Sequence, residues 1–519
     1  MKKTIAILLV AVLAVSSVFA GFSGKATVGL GVNHETKAYG FTNGTGFDVN
    51  VDLTTAESEK VAEGDIYAGI KATMGVKVAN KVAGDDKKGT SLWDSADKGT
   101  YGVGLFLKVA EAYVAGDNWK VSITGTQGAT SYAKSFTTHK EAVKDAFGNT
   151  TSDTKDVADD VTGDYGLFNK TPGVTAEVYG YKVSLGFNGN KNPSATNEFK
   201  YTSDPFVDPV KTTKVVGKYY NYNVLVETPE YDLNGLSLQV AAGASRKLDN
   251  YVPAEKWGEA AKVTFNGTSA YVLPKFYQLA VNTSAKVGYS TDKLSVAVAA
   301  DYDAIKYGEK DTNGVSDKLF NYFDSSVKVV YAPVTVDVYY AYNGFMAEFV
   351  NAYRLDSKYN LWANTLHAQV TTDLAAFDLP VKVTVWGKDV LNTKDFGAKA
   401  EVTVDAFKVS ANGGYLIDAK NTKAAELVGK YYVGADAEYK NDLFTAKAGV
   451  GFNSFVGKDV KDAAQLTASA SIESDVVVPG ATLKLAYSAA DNDQNILKGQ
   501  TNNKDYNLGK LEATCTIKF

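Results

Sequence analysis

Apolar and polar residues alternate with a period of two along most of the chain beyond residue 20. In "TGFDVNVDL", Phe47, Val49, Val51 and Leu53 fall on one face, and Asp48, Asn50 and Asp52 on the other. In "IYAGIKATMGVKV", Ile66, Ala68, Ile70, Ala72, Met74, Val76 and Val78 alternate with Tyr67, Lys71, Thr73 and Lys77. "PVKVTVWGK" sets Val381, Val383 and Val385 against Lys382, Thr384 and Trp386. "GAKAEVTVDAFKVSAN" reads as two strands around a turn near Asp405, with Lys399, Glu401 and Thr403 on the polar side of the first. This is the pattern of strands with one greasy and one wet face. Many of the segments run about nine to thirteen residues, whereas strands of globular proteins average roughly five or six. A tilted strand crossing a bilayer needs about nine to eleven.

The links between segments are of two kinds. Short ones fall near 115–118, 179–182, 229–234, 290–293, 332–333, 405–406, 440–442 and 474–480. Longer polar stretches, among them 79–99, 127–171, 190–212, 247–272 and 491–506, mostly take turns with them. The ten prolines fall in links or at strand starts, where no ladder hydrogen bond is lost. Counting segments gives an all-β chain of about 22 strands, within a range of about 18 to 24. The expected architecture is a single large antiparallel transmembrane β-barrel, with short periplasmic turns and long extracellular loops. The strand at the end of the chain, "GKLEATCTIKF", is expected to pair with "GKATVGLGV" near the start, since a free edge facing lipid would leave backbone groups unpaired.

The beginning of the chain changes the compartment. Lys2 and Lys3 precede an apolar run from Ile5 to Val15, and Val18, Phe19 and Ala20 supply small residues before Gly21. That is the form of a secretory signal peptide over 1–20, cleaved between Ala20 and Gly21, leaving 21–519 as the barrel. Removing it with its two lysines takes the formal charge from −5 to −7, which gives no basic footprint for nucleic acid. Beyond it no apolar run approaches the roughly 18 residues of a membrane helix. The single cysteine, Cys515, excludes an intramolecular disulfide and thiolate-rich metal sites.

Candidate chemistry is sparse. The three histidines, His34, His139 and His367, are far apart in sequence, and no nucleophile elbow, phosphate loop or zinc-protease motif occurs. "DNDQNILKGQTN" opens like a calcium loop but has Ile496 and Asn502 where glycine and an acid belong. No catalytic, cofactor or metal residue is assigned. Charged residues in the wet phase would line a lumen, because a charge facing mid-bilayer lipid costs about 2–4 kcal/mol. The candidates are Asp48, Asp52, Lys71, Lys77, Asp301, Asp337, Lys382, Lys399, Glu401 and Lys484. Aromatic residues near strand ends, such as Tyr289, Tyr331, Tyr431 and Tyr439, fit an interfacial girdle or plain strand propensity.

Long alternating strands after a signal peptide, ending on Phe519 with Ile517, Cys515, Ala513 and Leu511 at alternate positions, resemble bacterial outer-membrane β-barrel proteins, the porins in particular. The resemblance implies that this terminal pattern is read by the barrel-assembly machinery. It implies an outer-membrane address, contact with outer-membrane lipid, and possible association of copies, as trimer or monomer. By analogy with porins, 127–171 is a candidate for folding inward as a constriction, with Glu141, Asp145, Asp153, Asp156, Asp159, Asp160 and Asp164 as its acids. The plainer reading is a solvated external loop. Two departures stand out: alternation begins at Lys25, leaving no room for a plug, and only Arg246 and Arg354 exist to form an arginine cluster. The expected function is a water-filled channel for passive diffusion of small hydrophilic solutes or ions, without a cofactor. The alternative is a surface or adhesive barrel acting through its loops.

Overall fold

The computed structural model describes residues 21–33, 38–41, 46–52, 64, 66–79, 102–126, 128–144, 150–158, 168, 171–190, 196–198, 213–215, 219–247, 262–265, 268–271, 277–307, 318–344, 364–391, 394–416, 430–453, 465–490 and 509–518. Among them one large antiparallel sheet holds 22 strands, two of them interrupted, so that it counts 24 pieces. The interruptions have local causes. Ala38–Phe41 and Gly46–Asp52 face the same partner, Gly21–Asn33, with the register offset between them. Tyr219–Glu227 and Tyr231–Leu233 likewise share Leu236–Lys247, and Pro229, which has no N–H to give the ladder, falls in the gap.

Pairing follows chain order, each strand bonding to the next. The two ends also meet: Gly21–Asn33 pairs with Gly46–Asp52 along one edge and with Lys510–Lys518 along the other, Lys25 opposite Lys518. Small two-stranded ribbons, such as Thr138–Lys144 with Thr150–Ala158, stand apart from the main sheet. The expected turn near Asp405 lies at 405–406, and the link placed at 474–480 is shorter than expected. Strand Gln465–Val478 continues through an irregularity after Ser474 and turns at 479–480.

The two faces of the sheet are chemically opposite. Val28 (50% exposed), Ile123 (68%), Val385 (54%) and Val450 (59%) are bare on the apolar face. On the polar face Asn223, Asn282, Asp303, Asp324 and Tyr339 are fully buried. A water-soluble sheet would cover the first set and expose the second. Aromatic rings mark both margins of the apolar face. Phe407 pairs with Tyr439 at a ring distance of 4.6 Å, and Tyr415 pairs with Tyr431 eight residues further along each strand. Eight residues of strand span about 26 Å.

Tight turns join many of the hairpins at one end. Tyr179 (φ 49°) and Gly180 (φ 81°) are both left-handed, the backbone that matches strand twist in a two-residue hairpin. Gly180 also sits where a Cβ would lie 2.9 Å from Pro229, whereas Gly480 (φ 78°) faces open space. Gly480→Ala should therefore cost only the conformational penalty, about 1–2 kcal/mol. Gly180→Ala should cost more. Urea midpoints of the detergent-folded protein, followed by tryptophan fluorescence, check the order; equal midpoints would contradict it.

Candidate functional site: a segment on the polar face

Strands Trp119–Thr126 and Thr171–Val178 pair directly, with Thr126 opposite Thr171, so the chain leaves and re-enters the sheet at one place. Asn223 pins both sides of that gap: its Nδ2 donates to Thr126 O at 2.9 Å and to Thr171 Oγ1 at 2.7 Å. Between them the stretch 128–137, "GATSYAKSFT", lies against the polar face of the sheet and crosses it strand by strand.

Backbone-to-side-chain bonds set the path. At its start Gly128 passes Gly243 so closely that a Cβ on Gly243 would meet Gly128 O at 2.0 Å, so neither tolerates a side chain. Asn282 reads Thr130 on both backbone groups, accepting from its N–H at 2.9 Å and donating to its carbonyl at 3.1 Å. Ser284 Oγ donates to the same carbonyl at 3.1 Å. Asp301 then accepts the N–H groups of Tyr132 (2.9 Å) and Ala133 (2.6 Å). Lys134 N donates to Ser326 Oγ at 3.2 Å. Phe136 ends the crossing edge-on to His367, 5.9 Å between ring centres, and His367 stacks on Tyr339.

The sheet supplies this seat because its lateral rows are small or polar. One row runs Ala241, Ser284, Asp301, Asp324, Ala341 and Thr365, and each of these is buried. Burying carboxylates is costly without donors. Here Asp301 has two backbone N–H groups, Asp303 the Asn282 amide at 2.7 Å, and Asp324 the Tyr339 hydroxyl at 3.0 Å. The pKa of Tyr132 is itself pushed up to about 12 by burial, then by Glu227 and Asp301, so its phenol stays neutral. Beside it lies a cavity of about 480 Å³, lined among others by Lys134, Lys286, Lys328, Glu230 and Asp337.

The remaining wall is built differently. Its charges come as neighbours of opposite sign. Glu401 takes Lys399 and Lys408, each at 3.0 Å; Glu438 takes Lys447 at 2.8 Å, and Glu512 takes Lys510 at 2.8 Å. Glu111 takes Lys71 at 3.3 Å and Lys120 at 2.6 Å. Solvent-exposed pairs of this kind contribute only about 0–1 kcal/mol each. In these contacts six lysines meet four glutamates, so every glutamate named is paired and Glu111 and Glu401 are each shared by two lysines.

The sequence-derived candidates are thus distributed around the sheet. Asp301 holds the crossing segment, and Asp337, which accepts from Gln369 Nε2 at 3.1 Å, lines the cavity beside it. Lys71, Lys399, Glu401 and Lys484 belong to the paired wall, Lys484 lying 3.7 Å from Glu473, and Lys382 stands opposite Glu401. Asp48 and Lys77 are cross-strand neighbours and Asp52 is opposite Thr73; their side chains lie outside the described residues. Glu141, Asp153 and Asp156 sit on the ribbon after the crossing, and Asp145, Asp159, Asp160 and Asp164 lie outside the described residues. None of the seven acids is in 128–137. The contact is made by a stretch with no acid at all, whose run of Gly, Ala and Ser at close-packing positions was the available signal. Leu511, Ala513, Cys515 and Ile517 share the apolar phase of strand Lys510–Lys518; Phe519 and Ala20 fall outside the described residues, and Gly21 opens the first strand.

No family model matches the chain, and no curated protein matches it in sequence. Among solved structures it is similar to the translocation pore of the P pilus usher PapC, at 9% identity and TM-score 0.35, covering 96% of this chain and 99% of that one. It is similar to the outer membrane protein OpdK of Pseudomonas aeruginosa at 7% identity and TM-score 0.32, covering 96% and 99%. It is also similar to a mutant form of the ferric enterobactin receptor PfeA of Pseudomonas aeruginosa, at 10% identity and TM-score 0.42, covering 96% and 81%. Likeness at this level adds no weight to a functional reading, which stands on the geometry alone.

Two outcomes follow. Asp301→Ala removes a charged acceptor worth about 1.5–3 kcal/mol in hydrogen bonds. Trypsin cleavage after the exposed Lys134 should accelerate about ten- to hundredfold in that variant; an unchanged rate would show that Asp301 does not hold the segment. Glu230, in the gap after Glu227, is held below the usual glutamate range by Lys286 at 2.6 Å. A lowered carboxyl stabilises above its unfolded value of 4.5 and loses that contribution as pH falls through the lowered folded value. The small difference in urea midpoint between wild type and Glu230→Gln should therefore be present at neutral pH and vanish in acid; a difference that grows on acidification would refute the assignment.

Proposed function

We propose that this circuit of strands is an outer-membrane barrel, residues 21–519 after export by the signal peptide, and that it forms a channel for small hydrophilic solutes. One observation carries the reading: valines, leucines and isoleucines lie bare on one face while paired charges and buried polar groups occupy the other. Soluble monomers rarely expose an apolar patch beyond about 300–600 Å². Hydrocarbon is the surrounding in which such a face is satisfied, and the polar face then encloses water. The aromatic margins, about 26 Å apart along the strand, correspond to roughly 20 Å of height at a strand tilt of about 40°, somewhat less than an apolar band about 25 Å tall.

Passage through such a lumen needs width and a compatible wall rather than a reaction. Among the described residues no group of three His, Cys, Asp or Glu could hold a metal ion. The crossing segment 128–137 narrows the lumen along one wall, and the remaining wall, with its carboxylates paired to lysines, leaves a polar route for solutes. Short turns face the periplasm in this reading, and the barrel-assembly machinery inserts the chain.

Purified protein in a planar bilayer should give discrete conductance steps, and Asp301→Ala should raise the conductance and its noise by freeing the crossing segment. Folded protein without discrete steps would defeat the channel. A surface-adhesion role makes a different demand: trimming 138–170, which keeps the crossing segment in place, would abolish cell binding and leave conductance as it was.

A further inference from the structure

Beyond the reach of the crossing segment, two large rings stand on the polar face. Trp386 and Tyr432 occupy one lateral row, whose successive positions are Gln369, Trp386, Gly397, Gly414 and Tyr432. Each ring reaches sideways over the glycine beside it. A Cβ on Gly397 would come within 2.4 Å of the indole, and one on Gly414 within 2.4 Å of the Tyr432 hydroxyl. The two bare positions between the rings are therefore the space they occupy. Asp395 holds one of the rings from the side: Tyr432 Oη donates to it at 3.0 Å.

Unlike Tyr113, which covers Gly69 and is only 5% exposed, Trp386 and Tyr432 are only half-buried. Lys388 Nζ stands over the indole at 5.1 Å from the ring centre, a cation–π contact that a stacking ligand displaces by swinging the flexible lysine side chain aside. The neighbouring charges are matched. Lys388 lies opposite Asp395, and Lys399 is bound to Glu401 at 3.0 Å. Nothing in the row favours an ion of either sign. One step along the strands, Asn412 adds an amide next to the Gly434 backbone.

We infer that Trp386 and Tyr432 form a stacking site for a neutral sugar. The C–H face of a pyranose lies on the aromatic surface, and its hydroxyls meet Asn412, Asp395 and the ammonium groups at the rim. An uncharged ligand with one apolar face and a rim of hydroxyls is what a ring platform with balanced charges selects. His367 and Tyr339 lie on the next strands toward Phe136 at the end of the crossing segment, but both are buried there and add nothing to the exposed rings. The inference rests on the channel reading, because a solute reaches these rings from the lumen.

The probe is raffinose, a neutral trisaccharide, with a polyethylene glycol of equal hydrodynamic radius as the control for simple plugging. Raffinose should interrupt single-channel current saturably, and the glycol should not. Trp386→Leu and Tyr432→Leu should each weaken the interruption about tenfold, judged against each variant's own sugar-free current. Trp386→Phe, which keeps a ring and the fold, should weaken it less. Equal block by both probes, or block indifferent to all three variants, overturns the site. If the folded protein gives no steps, the channel reading fails and the site is read in detergent instead. Raffinose should then shift the tryptophan emission of wild type and leave that of Trp386→Phe unmoved; no shift in wild type overturns the site there too.

Discussion

A strand whose outer side chains are apolar and whose surroundings offer no hydrogen bonds must place every backbone N–H and C=O on its neighbours. In the membrane setting proposed above, most features of this chain answer to that demand. The strands are long, the breaks in them fall at proline or at an offset in register, and the terminal strands of the sheet are partners. The same demand explains why the turns carry left-handed residues such as Tyr179 and Asp405: the ladder has to continue to the last residue before it reverses.

Within that frame the polar face is divided by what lies on it. Under 128–137 the sheet behaves as a protein interior, with small residues, amides and carboxylates whose valences are filled by an irregular stretch of backbone. Across from it the sheet behaves as a wetted surface, where lysine and glutamate alternate between strands and glycines leave room. The first region gives shape and the second gives a lining of paired charges. Asn223 joins the two functions of the crossing segment, because it ties the segment's exit to its return and so fixes where the sheet departs from a plain wall.

Much of the sheet was legible from alternation alone, since a period of two is a local property and strand length is read directly. The strand number and the turn at 405–406 came from that reading. The crossing segment was harder. Its acids drew attention, yet the residues that touch the wall are neutral, and their partners Asn282, Ser284 and Asp301 are more than 150 positions away, related only through register. Asp301 was marked as a wet-phase charge, but nothing in its neighbourhood of sequence distinguished it from Asp337 or Lys382. Trp386 was visible as a polar-phase residue. Its significance depends on Gly397 and Gly414 lying next to it in space, which one strand by itself does not reveal.

The hydroxyls of Thr27 and Thr516 lie 3.2 Å apart across 489 positions of chain. Bringing two such distant points together costs about 5 kcal/mol of chain entropy when nothing in between is ordered. Almost none of that remains once the intervening hairpins have zipped side by side, because each one shortens the effective tether. The seam between the first and last strands is therefore the natural final event of folding, and until it forms the nascent sheet carries two borders of unpaired backbone groups.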